Sequence, residues 1–171
     1  LDSLAVLLRR PRPATTILLG DSFHDRTGAA RLPATERARL AQFAQTTTLV
    51  WVLGNHDPDA PTDLPGTAMA EFTLGPLTFR HQAIPAARHE ISGHFHPKAS
   101  IPARGATVSR PCFVADANRL ILPALGAYTG GLDIHAPAIA TLFPRGGRVF
   151  LLGQQRLFSF PFAGRAAMRS P

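Results

Sequence analysis

The sequence is poor in cysteine: Cys112 is the single one among 171 residues. A disulfide within the chain is therefore excluded, and a reducing, cytoplasmic location is expected. Cys112 lies in the apolar run Cys112–Val114. We predict that it is a buried core thiol rather than a nucleophile.

Long apolar runs and acidic residues are also scarce. No run reaches the roughly 18 apolar residues that a membrane-spanning helix needs, and residues 1–10 lack the small-residue cleavage site of a signal peptide, so we expect no membrane association. The chain has 18 basic and 11 acidic residues and a net charge of +7. A basic balance favours polyanionic partners such as nucleic acid, although the scattered arginines also fit an ordinary solvated surface.

Hydrophobic residues make up 45% of the chain, enough for a sizeable core. We predict one domain over residues 1–162 and a frayed tail over residues 163–171. The spacing of apolar residues predicts a strand at 15–19, a helix at 34–45 and a second strand at 47–53. A strand, helix and strand in this order indicate an α/β fold.

Proline and glycine recur after Pro58, and the helical patterns fade. Residues 1–10 are predicted as a helix, and the second half is predicted to be rich in strands. The predicted strands lie at 71–74, 77–81, 90–93, 107–115, 120–123 and 148–152. A second sheet packed on the first is therefore expected.

Three clusters of polar residues follow predicted strands, where open α/β sheets place their ligands. They are Gly20–Asp25, Gly54–Asp57 and Gly93–His96, and His81 closes another strand. Each cluster alone is also compatible with an ordinary turn. Their order and their placement at strand ends together predict a shared metal site.

The chemistry of these side chains suits a transition metal. The Asp21 carboxylate can bridge two cations, Asn55 offers a neutral oxygen, and the histidines offer imidazole nitrogens. Mixed nitrogen and oxygen ligands favour Mn²⁺, Fe or Zn²⁺ over Ca²⁺. His94 and His96 are two residues apart, so in an extended segment both would point to one face.

The combination resembles the calcineurin-like metallophosphoesterase family, whose motifs run Asp-x-His, Gly-Asp, Gly-Asn-His-Asp/Glu, His and Gly-His-x-His. Four of the five occur here in that order, between Gly20 and His96. The resemblance implies a two-sheet α/β sandwich flanked by helices. It also implies an enzyme with two divalent metal ions, Mn²⁺ first among them, that hydrolyses phosphate esters by a metal-activated hydroxide.

The same resemblance assigns roles to individual residues. Asp21 would bridge both ions, and His96 would bind the first ion. His56 would be the catalytic histidine beside the scissile phosphate, and Asp57 would orient its ring. The remaining ligands, all for the second ion, would be Asn55, His81 and His94.

The first motif, Asp-x-His, is absent, since Asp2-Ser3-Leu4 does not match it. We expect this motif and the first strand of the fold upstream of Leu1. The first ion would otherwise keep only Asp21 and His96 as ligands, which calls the activity of this chain into question.

A closer similarity is to the bacterial PdeM subgroup, the ligase-associated DNA damage response endonucleases. It is carried by the metal motifs and by Leu122–Leu132. This similarity implies a phosphodiesterase or nuclease in DNA repair, with a DNA ligase and a helicase as partners. Two alternatives stay open: a phosphomonoesterase acting on a nucleotide or a phosphoprotein, and an inactive, metal-poor binding module.

Some polar residues near the motifs have two interpretations. His24 and Asp25 either support the metal site or cap a turn. Arg80 either holds a substrate phosphate or is ordinary surface charge. Residues 128–131 either line the pocket or form a loop between strands.

Overall fold

The computed structural model describes residues 1–23, 25–59, 61, 63–103, 105–126 and 130–164. They form two compact units, Leu1–His81 and Gln82–Pro171. The expected single domain over residues 1–162 stays a prediction. Of the predicted tail, only Ala163 and Gly164 are described.

The first unit contains two helices that bury one apolar face each. Helix α1 spans Asp2–Arg9 and buries Leu4, and the prolines at 11 and 13 prevent its continuation. Helix α2 spans Ala34–Ala44, begins directly after Pro33 and buries Leu40. Both helices occur where the sequence predicts them, to within one residue at each end.

The strands of the first unit form a parallel sheet and a hairpin. Strands β1 (Thr15–Leu19), β2 (Thr48–Val52) and β3 (Thr67–Met69) pair in that order. Both pairs are parallel, with Leu19 opposite Val52 in the first. The antiparallel hairpin joins β4 (Glu71–Leu74) to β5 (Leu77–Arg80).

The core of the first unit is built around Trp51. Leu40, Leu49 and Leu64 are buried with it, and Phe23 stacks on the indole with ring centroids 5.7 Å apart. The indole Nε1 donates a 2.8 Å hydrogen bond to the Pro65 carbonyl. This bond satisfies the one polar atom of an otherwise apolar side chain.

The second unit consists mainly of six strands: β6 (Glu90–Ser92), β7 (Lys98–Ala103), β8 (Ala106–Ala115), β9 (Arg119–Ile121), β10 (Gly147–Leu152) and β11 (Leu157–Phe162). Their order is β11-β10-β8-β9-β6, and β7 pairs with β8. Only β6 and β9 pair in parallel among these. A short helix, α3 (Pro137–Ala140), precedes β10.

The core of the second unit contains the lone cysteine. Cys112 is fully buried among residues that include Val114, Ile121 and Phe143. Burial raises the pKa of the Cys112 thiol to about 12, and Asp133 adds a smaller effect in the same direction. The predicted buried thiol is thus confirmed.

The α/β fold class and the two sheets are confirmed. The sequence did not predict β3, β7, β11 or α3. Within the described residues, no helix is long and apolar enough to cross a bilayer.

Candidate metal centre

The centre is built at the carboxyl ends of β1 and β2. These strands are parallel neighbours, so the residues that follow them emerge at the same edge of the sheet. Asp21 follows β1, and Asn55, His56 and Asp57 follow β2. The predicted placement of these two clusters at strand ends is confirmed.

Asp57 ties the two loops together through three backbone hydrogen bonds. Its Oδ1 accepts from the N–H of Asp21 at 2.9 Å and from the N–H of Gly54 at 3.0 Å. Its Oδ2 accepts from the N–H of Phe23 at 3.1 Å. Asp57 is 8% exposed, so this buried carboxylate is held by donors from both loops, as a buried charge requires.

The Asp21 carboxylate is shared between the backbone and an imidazole. Its Oδ1 accepts a 2.9 Å hydrogen bond from the N–H of His56, and its Oδ2 lies 3.2 Å from His81 Nε2. The backbone of Asp21 is left-handed, with φ of +49°. Aspartate tolerates this conformation better than most residues do.

His81 is held by a contact at each ring nitrogen. Its Nδ1 lies 2.8 Å from the Leu19 carbonyl, which can only accept. The proton of a neutral ring is therefore on Nδ1, and Nε2 carries a lone pair. This Nε2 lies 2.9 Å from Asn55 Oδ1 and 3.2 Å from Asp21 Oδ2.

The amide of Asn55 is oriented with its Oδ1 towards His81. Three atoms that carry lone pairs therefore face one another: His81 Nε2, Asn55 Oδ1 and Asp21 Oδ2. Such atoms repel unless a shared cation or proton lies among them. Cis ligands of an octahedral ion with bonds of about 2.1 Å are about 3.0 Å apart, close to the observed 2.9 and 3.2 Å. The donor set fits a divalent metal ion, and Asp21 and His81 are both among the side chains able to hold one.

Two glycines make room for this arrangement. A Cβ at Gly20, whose φ is +79°, would lie 2.5 Å from His81 Nδ1. A Cβ at Gly54 would collide with Oδ1 and the backbone nitrogen of Asp21. The glycines that precede Asp21 and Asn55 are therefore required by close packing, as well as by the turn that the sequence suggested.

His56 is exposed and is fixed through its backbone bond to Asp21. The predicted role of Asp57 in orienting the His56 ring has no support from the contacts of the described residues, which join Asp57 to backbone N–H groups. That orienting role stays a prediction. The contacts instead show Asp57 bracing the loop that carries Asp21.

In the second unit, His94 and His96 lie in a tight turn after β6. The condition under which both would point to one face, an extended segment, is not met: their φ angles are +63° and +46°, so alternation along a strand does not set their directions. The loop is anchored by the buried Phe95, whose carbonyl accepts from Leu132 N–H at 3.2 Å. The His94 ring packs edge-on against Phe95. Their role as metal ligands stays a prediction.

The other predicted site residues have structural partners. Asp25 forms a 2.7 Å salt bridge with Arg31 and accepts a hydrogen bond from the N–H of Thr27. The hydrogen bond from Arg31 holds the pKa of Asp25 well below its usual range. Arg80 pairs with Glu71 across the hairpin at 3.1 Å. His24 and residues 127–129 lie outside the described residues.

The Leu19 carbonyl, which sets the tautomer of His81, was not predicted from the sequence. A backbone carbonyl carries no sequence signal, and this contact spans 62 positions. The bracing role of Asp57 was also missed, although its place in a strand-end turn was visible in the sequence.

Comparison with solved structures shows a similarity to a nuclease. A crystal structure of the Pseudomonas putida nuclease MPE matches this chain with a TM-score of 0.69 and 30% sequence identity. The match covers 93% of this chain and 76% of that one. No family model matches the sequence, and no curated protein matches it.

Proposed function

The chain belongs to the same family as the Pseudomonas putida nuclease MPE, and from that premise we propose that it is a metal-dependent nuclease that hydrolyses phosphodiester bonds. The observation that carries the proposal is the convergence of His81 Nε2, Asn55 Oδ1 and Asp21 Oδ2 in one small space. Family membership supports the class of reaction, and this donor set supports the dependence on a metal.

We propose two divalent ions, with Mn²⁺ the expected species and Fe or Zn²⁺ as alternatives. The spacing of their donor atoms supports Asp21, Asn55 and His81 as ligands, and the Gly-His-x-His motif supports His94 and His96. When bound, the ions neutralise charge on the phosphoryl group and lower the pKa of water.

The residues of the chain itself would orient the substrate and move a proton. His56 is exposed beside Asp21, so its imidazole is available to protonate the departing alkoxide. Arg80 is the last residue of β5, directly before His81, and its guanidinium would hold a non-bridging phosphate oxygen. Asp57 would keep the Asp21 loop rigid, so that little ordering is left to occur on binding.

Metal binding is tested by titrating Mn²⁺ into the metal-free protein in a calorimeter. We expect His81→Gln to weaken binding by at least about tenfold, since even partners of metal ligands contribute that much. The matched control is His135→Gln, which changes an exposed histidine of the second unit. Because His81 is buried, Asn55→Ala provides a second variant at an exposed ligand.

A second readout is the shift in the unfolding midpoint on adding Mn²⁺, followed by fluorescence of Trp51, the single tryptophan. Ligand binding to the folded state raises this midpoint. Equal Mn²⁺ affinity in the wild type, His81→Gln and Asn55→Ala would contradict the proposed centre. Weak or absent binding by the wild type would favour the metal-poor binding module.

The substrate class is tested by comparing bis-p-nitrophenyl phosphate, p-nitrophenyl phosphate and a labelled oligonucleotide, each with Mn²⁺. We expect hydrolysis of the diester and the oligonucleotide, and its loss in His56→Ala with Mn²⁺ binding retained. Activity on the monoester alone would sink the nuclease assignment and favour a phosphomonoesterase.

We further propose a role in DNA repair, in the cytoplasm, alongside a DNA ligase and a helicase. This part is supported by the resemblance of the motifs to the PdeM subgroup alone. Its test is copurification of the tagged protein with a ligase and a helicase from cells treated with a DNA-damaging agent. Failure to recover either enzyme would contradict the partnership and leave the hydrolase assignment intact.

A further inference from the structure

The net positive charge of the protein belongs entirely to the second unit. Up to His81 the sequence has eight basic and eight acidic residues, and after His81 it has ten basic and three acidic residues. The second unit therefore carries the whole excess of +7. A polyanion is drawn to the unit that carries such an excess.

An open groove of about 570 Å³ lies on this second unit. Its floor is apolar, formed by Ile101, Val108 and Leu151, and its rim carries Arg110 and Arg156. The described residues that line it include two glutamines and no acidic side chain.

The position of the groove follows from strand register. Leu151 pairs with Cys112 on β8 and with Phe158 on β11. Side chains opposite one another lie on the same face of a sheet, so the face that buries Cys112 continues along β8 to Arg110 and Val108. The core ends there, and its apolar face opens to solvent between charged side chains.

Arg156 and Phe158 form a preorganised pair at one side of the groove. The Arg156 guanidinium lies over the Phe158 ring, 4.6 Å from its centroid. The turn is closed by a 3.1 Å bond from Gly153 N–H to the Arg156 carbonyl. Phe158 packs so closely on Gly153 that a Cβ there would lie 2.7 Å from the ring. The planar cation is thus displayed on a fixed aromatic base.

We propose that this groove binds a single nucleic-acid strand, with Arg110 and Arg156 contacting its phosphates and one base stacking on the Arg156–Phe158 pair. The inference rests on the proposed nuclease function and adds a binding site for the substrate strand. Unpaired bases stack on aromatic rings and arginine planes, whereas a duplex hides its base faces. The volume suits one or two nucleotides, since sites of about 300–1,000 Å³ hold ligands of that size.

The test is fluorescence anisotropy with a labelled 12-nucleotide DNA strand of mixed sequence, in EDTA to prevent cleavage. We expect Arg110→Gln with Arg156→Gln to weaken binding about tenfold or more. The slope of the logarithm of the binding constant against the logarithm of salt concentration should become shallower by about 1.4, because each phosphate contact on a single strand contributes about 0.7. The matched control is Arg88→Gln with Arg145→Gln, which removes the same charge from exposed positions outside the groove.

A conservative variant separates stacking from charge. Arg156→Lys keeps the cation and loses the plane. It should weaken binding of the normal strand by about threefold or more and leave binding of an abasic strand of equal length unchanged. Equal loss on both strands would remove the stacking part of the proposal.

Two results would overturn the groove altogether: wild-type affinity in the Arg110 and Arg156 double variant, or an equal loss in the control pair. Hydrolysis of bis-p-nitrophenyl phosphate is measured in parallel. Absence of that hydrolysis in the wild type would contradict the proposed reaction, whereas the binding data decide on the groove by themselves.

Discussion

Replacing Asp57 by asparagine tests whether this residue stabilises the loops of the candidate metal centre or orients the His56 ring. The carboxylate accepts N–H groups from Asp21 and Gly54 at Oδ1 and from Phe23 at Oδ2. Asparagine retains one oxygen, which suits the two bonds at Oδ1. Its NH₂ group would then face the Phe23 N–H, and two donors repel each other.

The expected cost follows from these three bonds. Losing the bond from Phe23 to a charged acceptor costs about 1.5–3 kcal/mol, and a neutral acceptor roughly halves the strength of the other two. We expect the three changes together to lower the free energy of unfolding of the first unit by about 3 kcal/mol.

Trp51 provides a local assay. It is the single tryptophan, it lies on β2 directly before the Gly54 turn, and it stacks on Phe23. Its fluorescence in urea therefore follows unfolding of the unit that contains Asp57. With a slope of about 2 kcal/mol per molar urea, the midpoint should fall by about 1.5 M in Asp57→Asn.

His56→Ala is the matched control. If Asp57 acts on backbone N–H groups, the effect of Asp57→Asn should be the same in the wild type and in a His56→Ala background, since independent effects add. A fall smaller than about 1 kcal/mol would refute the bracing role. So would an effect that disappears once the His56 ring has been removed.

Three further predictions concern packing and ionisation. Gly54→Ala should destabilise the first unit by about 1–3 kcal/mol through overpacking and should lower Mn²⁺ affinity. Its control is Gly130→Ala, whose Cβ would have nothing within 4 Å. This control should change neither thermal unfolding nor the Mn²⁺ affinity measured by calorimetry. Cys112 should not react with a thiol reagent at pH 8 until the protein is denatured, because burial raises its pKa to about 12; rapid reaction of the folded protein would contradict this. The Asp25 carboxyl should titrate by NMR below the value of about 3.9 that unfolded aspartate has, since Arg31 lowers its pKa. The contribution of Asp25 to stability is then complete above that unfolded value and is lost as pH falls through the folded pKa. A titration midpoint at or above about 3.9 would refute the lowered pKa.

The strands that the sequence predicts are those in which apolar and β-branched residues follow one another. Strands β1 and β2 agree with their predictions to within one residue at each end. Strands β7 and β11 were not predicted; they contain Pro102 and Pro161, and a proline argues against a central strand. β11 ends the strand order of its unit, where a missing N–H is tolerated.

The site was more predictable in composition than in geometry. The motif order identifies Asp21, Asn55 and His81, and these three do converge. The contact between His81 and the Leu19 carbonyl follows from strand pairing, which a local pattern does not encode. The left-handed backbone of His94 likewise arises from a turn that the letters Gly-His-Phe-His do not distinguish from an extended segment.

The candidate ligands of the first unit owe their positions to the backbone more than to side-chain packing. Asp21 has an unfavourable left-handed φ, a strain of order 1 kcal/mol that persists only where the surroundings enforce it. Here the enforcing contacts are its N–H bond to Asp57, the bond from His56 N–H to its carboxylate, and the close approach of Gly54. Each of these restrains Asp21 before any ion binds. A cation entering this centre would therefore meet donors already set about 3 Å apart, and its binding energy would go mainly into affinity rather than into ordering the loops.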